Sequence, residues 1–95
     1  MRFAWDEAKD ASNRSKHGVS FEEASSLFTS GEDYLEIFDD ANSLDEDRFI
    51  AIGTVIRGVI VVVYTERDGD TIRIISARWA TKREASRYRS YKEGG

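Results

Sequence analysis

The chain has 95 residues, of which 40% are apolar or aromatic and 34% are charged, and it contains no cysteine. A chain of this length has room for one compact domain, so we expect residues 1–95 to form a single domain. The lack of cysteine excludes disulfides, thiolate metal sites and a cysteine nucleophile. The first residues lack a signal-peptide pattern, and no stretch approaches the ~20 apolar residues that span a bilayer. We therefore expect a cytoplasmic protein that does not bind membranes.

Two predicted helices open the chain. The composition of residues 6–16 favours a helix, and Gly18 is suited to end it in a left-handed cap, which leaves His17 at the helix end. A capping box begins at Ser20, where a serine is followed three residues later by a glutamate. The apolar residues after it recur at three- and four-residue spacing, so we expect a second helix that ends near Gly31.

The remainder of the chain favours four strands and one more helix. The strands are predicted at residues 34–38, 48–55, 59–65 and 71–79, with an acidic loop over residues 39–47. The dipeptides Arg57-Gly58 and Asp68-Gly69 indicate tight turns. A second capping box at Thr81 starts the last helix, which runs to about residue 92. The order ααββββα predicts an α+β fold, in which the helices pack on one face of a four-stranded antiparallel sheet and the other face stays open.

The net charge of −4 hides an uneven distribution of charged side chains. Residues 1–47 carry 4 basic and 13 acidic residues, whereas residues 48–95 carry 10 basic and 5 acidic ones. Most of the basic residues in the second half are arginines, namely Arg48, Arg57, Arg67, Arg73, Arg78, Arg83, Arg87 and Arg89. The planar guanidinium group suits phosphate better than lysine does. The second half is therefore a candidate nucleic-acid surface, with two solvated faces of opposite charge as the alternative.

Two blocks of sequence form specific patterns that together cover roughly residues 3–88. The first consists of Phe3-Ala4-Trp5-Asp6, Lys9, Asn13 and the string from Lys16 to Ala24. The second consists of Glu46, Arg48-Phe49, Ile52-Gly53, the string from Val62 to Arg67, the string from Arg73 to Arg78, Ala80-Thr81 and Arg83-Glu84. In both blocks the sequence resembles the BrnT family of toxins.

This resemblance implies a fold and a function that composition alone does not show. It implies the fold of RelE-type ribonucleases and an enzyme that cleaves RNA and so arrests translation. It also implies a partner, a BrnA-type antitoxin encoded beside the toxin. The protein would contact DNA only indirectly, through this antitoxin.

The catalytic candidates are His17, Glu46, Arg67 and Arg78. Metal-independent RNA cleavage needs a base for the ribose 2′-hydroxyl, cations for the phosphorane and an acid for the leaving oxygen. His17 is the only histidine and can carry a proton, or it can merely end a helix, where the dipole favours a cation. Glu46 precedes a predicted strand, where a carboxylate can act as base or orient arginines. The choice between His17 and Glu46 as general base stays open.

The candidates for RNA binding are Lys16, Arg48, Arg73, Arg83 and Tyr88. Strand alternation places Arg73 and Arg78 on opposite faces unless a bulge intervenes, and Arg78 is preferred because it matches the family's pattern. Tyr88 either contacts RNA or packs against the sheet. No metal or other cofactor is expected, because one histidine and scattered carboxylates do not form a ligand cluster.

Two other functions compete with the ribonuclease. The chain can be a non-catalytic module that binds nucleic acid or protein and acts only in complex with a partner. It can also be a plain interaction domain whose acidic half docks on a basic protein. Cleavage of RNA by the isolated protein without metal would distinguish the ribonuclease from both of these alternatives.

Overall fold

The computed structural model describes residues 1–94, in which three helices surround a five-stranded sheet. The helices are α1 (Glu7–His17), α2 (Phe21–Thr29) and α3 (Lys82–Lys92). The strands are β1 (Arg2–Ala4), β2 (Leu35–Phe38), β3 (Phe49–Val55), β4 (Gly58–Arg67) and β5 (Thr71–Trp79), and a 3₁₀ turn (Asp40–Asn42) follows β2. The predicted α+β class is confirmed. None of the helices in residues 1–94 has the length and apolar character needed to cross a membrane.

The strand order is β1-β5-β4-β3-β2, with β1 parallel to β5 and the other pairs antiparallel. The prediction of four antiparallel strands is therefore wrong by one strand, β1. Phe3 of β1 lies opposite Ile72 of β5, and its ring packs 5.9 Å from that of Phe28 in α2. Three residues are too few for a period-two pattern, and their partner strand lies near the other end of the chain.

The predicted signals for helix ends are largely confirmed. Gly18 ends α1 in the left-handed region, with φ of 71°. At α3 the capping box is complete, because the Thr81 hydroxyl accepts from the Glu84 amide and the Glu84 carboxylate accepts from the Thr81 amide. At α2 only half of the box forms. The Ser20 hydroxyl accepts from the amide of Glu23, but the carboxylate of Glu23 is bound to an arginine elsewhere.

Helices α1 and α2 pack on one face of the sheet, here called the α1–α2 face. Its buried core consists of Val19, Phe21, Ala24, Leu27, Ala51, Val55, Ile60, Val62, Tyr64, Ile72, Ile74 and Ala77. The β-strand residues in this core alternate with residues that point to the opposite face. The core residues therefore also fix which side chains stand on the other side of the sheet.

Asn13 of α1 closes the edge of the sheet beyond the end of β1. Its side-chain carbonyl accepts from the amide of Ala77 (3.1 Å), and its amide donates to the carbonyls of Ala77 (2.8 Å) and Val19 (2.9 Å). Because β1 ends opposite Arg73, no strand pairs with this edge of β5 at Ala77. The Asn13 amide supplies the missing hydrogen bonds, which gives this residue of the first sequence block a structural role.

Helix α3 packs on the opposite face, here called the α3 face. Tyr88 is only 2% exposed and packs with Ile52 and Val61, and its hydroxyl donates to the carbonyl of Asp33 (2.9 Å). The prediction that all helices share one face is therefore wrong. The reason is that β3 and β4 carry apolar side chains at both parities, and a sheet that is apolar on both faces needs cover on both.

Candidate functional site

The α3 face divides into a covered half and an uncovered half. Along β4 the residues that point to this face are Val59, Val61, Val63, Thr65 and Arg67 in chain order. Helix α3 packs on β2, on β3 and on the beginning of β4, so it covers the apolar end of this row. The remaining part, here called the open half, contains Arg48, Val63, Thr65, Arg67, Arg73 and Ser76.

Three neighbouring strands bring two arginines and a threonine into one row of the open half. Thr65 of β4 lies opposite Arg73 of β5. The last register pair of β3 and β4 is Phe49 with Tyr64, and continuing that register by one residue places Arg48 opposite Thr65. Side chains directly opposite one another have Cβ atoms about 4.5–5.5 Å apart. Both arginines therefore flank the threonine.

A β-bulge in β5 places Arg73 and Arg78 on the same face. Tyr64 pairs with Ile74 and Val63 pairs with Ser76, so Ile75 is left without a partner and the alternation of β5 shifts by one residue. Ile74 and Ala77 both point into the α1–α2 core. Arg73 and Arg78 therefore both point to the α3 face, which simple alternation would not give.

Glu46 and Arg67 form an ion pair at the far end of the open half, where β3 begins and β4 ends. The Arg67 guanidinium donates to the Glu46 carboxylate at 3.0 Å, and both side chains are accessible to solvent. Glu46 and Arg48 also line a surface pocket of about 240 Å³ formed by the loop before β3. The acidic loop thus brings one carboxylate to the arginine surface.

Arg78 lies at the border of the two halves and is held by α3. Its guanidinium donates to both oxygens of Glu84 at 2.7 and 2.8 Å. The hydrogen bond from Arg78 lowers the pKa of Glu84 from its usual 4.5 to about 2. Arg78 lies opposite Val61, six residues before Arg67 on β4, which at ~3.3 Å per residue separates the two arginines by roughly 20 Å. They cannot hold the same phosphate.

The C-terminal end of α1 is anchored on the α1–α2 face by Arg57. This arginine, in the turn between β3 and β4, donates to the carbonyl of Gly18 (2.7 Å) and to the carboxylate of Glu23 (2.8 Å). Its guanidinium carbon also lies 4.9 Å from the ring centre of Trp79, which packs against the α1–α2 core. The hydrogen bond from Arg57 lowers the pKa of Glu23.

His17 and Lys16 are exposed at this anchored end, in a last turn of α1 that also carries Arg14. The structure therefore does not bring His17 together with Glu46 and Arg67, which lie on the other face of the sheet. Within α3, Arg83 is exposed in the first turn. The ring of Tyr88 is enclosed by the sheet and its hydroxyl is engaged, so no part of it is free to stack on a base.

Sequence reasoning missed Thr65. This residue is 1% exposed, and its hydroxyl has no hydrogen-bond partner among the described residues. The same holds for the buried Nε of Arg48 in the same row. A buried hydroxyl without a partner costs about 1–3 kcal/mol, so such groups are rare in folded proteins. The signal in the sequence was the spacing of Thr65 and Arg67. They are two residues apart at the end of an apolar strand, so both point to the same face of the sheet.

The arrangement suits a phosphodiester chain. Guanidinium groups from β4, from β5 and from the residue before β3 stand on one uncovered surface, and a carboxylate stands at its edge. Residues 1–94 contain no group of three histidine, aspartate or glutamate side chains placed to hold a metal ion. Fold and surface together define a small α+β protein with a cationic, RNA-compatible sheet surface.

Comparison with known proteins identifies the family. Residues 5–84 match the family described as "Ribonuclease toxin, BrnT, of type II toxin-antitoxin system". The chain therefore belongs to the BrnT family of ribonuclease toxins. A crystal structure of the Brucella abortus ribonuclease toxin, BrnT, superimposes with a TM-score of 0.66 at 27% sequence identity, over 86% of this chain and 99% of that chain. No curated protein sequence matches the chain.

Proposed function

We propose that this BrnT family member is a metal-independent endoribonuclease that inhibits translation and binds RNA on the open half of the α3 face. The observation that carries the proposal is that Arg67 of β4, Arg73 of β5 and Arg48, which immediately precedes β3, stand on the part of one sheet face that α3 leaves uncovered, with Glu46 paired to Arg67. Single-stranded RNA offers a phosphate at every residue, and arginines positioned by strands bind such a backbone without reading its bases.

Glu46 is the general base of the proposed reaction. Its carboxylate takes the proton of a ribose 2′-hydroxyl, the 2′-oxygen bonds to the adjacent phosphorus, and the bond from phosphorus to the 5′-oxygen breaks. The leaving oxygen takes a proton from water, which reaches this exposed surface. Arg67 holds Glu46 in place and, with Arg48, stabilises the charge that develops on the phosphorane. The products are a 2′,3′-cyclic phosphate and a free 5′-hydroxyl.

Arg78 acts in this proposal as a positioning residue. Both branches of its guanidinium are bound to Glu84, which also caps α3, so Arg78 ties β5 to the helix that borders the open half. Arg83 is exposed in the first turn of α3 and can contact RNA that extends past the sheet, whereas Lys16 stands beside His17 on the α1–α2 side and is not part of the proposed surface. The proposed chemistry does not use His17, which is exposed at the end of α1 on the α1–α2 face.

The family implies a protein antitoxin as partner. We propose that a BrnA-type antitoxin covers the open half with an acidic segment, and that the toxin reaches DNA only through this antitoxin. Ion pairs at such an interface weaken as salt screens them. The affinity of the toxin for the antitoxin should therefore fall as ionic strength rises, and it should fall in the Arg73→Ala variant. We expect the pair to act in the cytoplasm, so the affinity is measured around physiological ionic strength.

The proposed activity is tested with a labelled RNA, purified protein and EDTA. Wild type should cut the RNA and leave 2′,3′-cyclic ends. Arg48→Ala should lose most of the activity, since it removes a cation from the phosphate surface, whereas His17→Ala should cut within about twofold of wild type. Folded wild type that leaves RNA intact, with or without ribosomes, would favour the non-catalytic binding module. Loss of activity in His17→Ala would return the chemistry to the other face.

A further inference from the structure

The strongest unexplained feature of the open half is a pair of buried polar atoms without partners. The Thr65 hydroxyl and the Arg48 Nε each lack a hydrogen-bond partner among residues 1–94. Thr65 lies on β4 and Arg48 immediately precedes β3, and continuing the register beyond the pair of Phe49 with Tyr64 places the two residues opposite each other. Two such atoms on residues that face each other across the sheet, with Arg73 opposite Thr65 on the other side, indicate a ligand that binds both of them.

We propose that Thr65, Arg48 and Arg73 form a subsite that binds one phosphate group, with the Thr65 hydroxyl as a donor to a phosphate oxygen. The proposal rests on the proposed function in one respect only, namely that the phosphate belongs to an RNA substrate. It adds a residue, Thr65, that the catalytic chemistry does not require.

The composition of the row supports an anion. Arginine has donors only, so it does not satisfy the hydrogen-bonding needs of a neighbouring arginine, and two guanidinium groups on either side of one residue repel each other. An oxyanion between them accepts from both arginines and from the hydroxyl. No carboxylate among the described residues is hydrogen-bonded to Arg48 or Arg73, although Glu46 pairs with Arg67 and Glu84 with Arg78. Asp6 is close enough for the charge of Arg73 to contribute to its lowered pKa, after the larger effect of the hydrogen bonds from the Lys9 and Ala8 amides, but it does not occupy the guanidinium.

Access to Thr65 depends on flexible side chains. Its neighbours on the same face are Arg48 and Arg73 across the sheet, and Val63 and Arg67 along its own strand. Arginine changes rotamer readily, so a phosphate can draw the guanidinium groups outward and reach the hydroxyl beneath them. Helix α3 does not take part, because it lies over the other half of this face.

The first test measures binding of inorganic phosphate without any cleavage. The unfolding temperature is followed against phosphate concentration at constant ionic strength, since a ligand that binds only the folded state raises it. The variants are Thr65→Val, which keeps the shape and removes the hydroxyl, and Thr65→Ser, which keeps the hydroxyl. The matched control is Thr54→Val. Thr54 is a threonine of β3 that points to the same face of the sheet, but it lies opposite Val59, in the half that α3 covers.

Wild type, Thr65→Ser and Thr54→Val should bind phosphate alike, and Thr65→Val should bind about tenfold more weakly, as expected for one lost hydrogen bond to a charged group. Thr65→Val should remain as stable as wild type without phosphate, because it removes a buried hydroxyl that has no partner. Equal phosphate affinity in Thr65→Val and wild type would overturn the subsite, as would a wild type that does not respond to phosphate.

The second test identifies the source of the phosphate with an uncleavable 2′-O-methyl RNA. Thr65→Val should weaken its affinity by a similar factor, which Thr54→Val should not. If inorganic phosphate is affected and RNA is not, the row binds a free anion and the RNA subsite is overturned. If both are affected but wild type never cuts RNA, the subsite stands and the proposed ribonuclease chemistry fails.

Discussion

The two halves of the α3 face differ although the same strands run through both. At the beginning of β4 the outward residues are valines beneath Tyr88, and at its end they are Thr65 and Arg67 in the open half. One half is a second hydrophobic core and the other is a cationic surface. The change occurs within a single strand, so the sequence of β4 and the position of α3 together separate the structural part of this face from the part that we propose binds RNA.

Glu46→Gln should have the largest effect and tests whether the open half contains the chemistry. Loss of a general base slows cleavage by about 10²–10⁴-fold. Glutamine keeps the shape and can still accept from Arg67, so binding should change little. Single-turnover rates in EDTA measure this effect. Asp45→Asn, an exposed neighbour in the same loop, is the control and should cut at the wild-type rate; equal rates for all three proteins would remove Glu46 from the mechanism.

Tyr88→Ala should show that the covered half is structural. Loss of a large buried aromatic residue costs about 3–5 kcal/mol of unfolding free energy. Tyr88→Phe loses only the hydrogen bond to the Asp33 carbonyl, at about 1 kcal/mol. Urea denaturation measures both values. Tyr88→Phe should retain full RNA cleavage, and a folded Tyr88→Phe that binds RNA poorly would mean that the hydroxyl leaves Asp33 to contact the substrate.

Arg73→Ala sharpens the comparison through the salt dependence of RNA binding. Each phosphate contact to single-stranded nucleic acid contributes about −0.7 to the slope of log affinity against log salt. Because Arg48 and Arg73 share one phosphate in the proposed subsite and Arg67 contacts a second, the predicted slope is about −1.4, and Arg73→Ala should reduce its magnitude by at most about 0.7. Arg14→Ala, on the α1–α2 side, should leave it unchanged. A slope near zero for wild type would contradict phosphate binding by the open half.

The border between the halves should respond weakly to acid through Glu84. Its pKa is about 2 in the folded state against a usual 4.5, because it is bound to Arg78. Because the pKa of Glu84 is lower in the folded state than in the unfolded state, the ion pair stabilises the folded protein fully above about pH 4.5. This contribution to the unfolding free energy is lost as the pH falls from about 4.5 to about 2. The difference in unfolding free energy between wild type and Glu84→Gln should shrink over that range.

The sequence predicted what depends on local signals. Gly18, the capping box at Thr81 and the turn at Asp68-Gly69 are confirmed, since each is determined by its own few residues; Asp68 and Gly69 both have positive φ. Strand β1 was missed because three residues carry no pattern. The side of the sheet on which α3 packs depends on contacts distant in sequence, which no short pattern encodes.

The candidate site was predicted in part for the same reason. Arg48, Arg67 and Arg73 were identified by residue type, and the open half brings them together with Glu46. The bulge at Ile75, which turns Arg73 and Arg78 to one face, is a property of strand register and not of composition. Thr65 was overlooked because a threonine in a β-strand is ordinary until its neighbours across the sheet are known.

The most direct test of the open half as the RNA surface follows the arginine side chains themselves. In protein labelled with ¹⁵N at arginine Nε, the resonances are assigned by substitution and titrated with uncleavable 2′-O-methyl RNA. If RNA binds the open half, we expect large shifts for Arg48, Arg67 and Arg73, and unchanged signals for Arg14 and Arg57 on the α1–α2 face. Shifts confined to Arg14 and Arg57 would place RNA beside His17 and contradict the account.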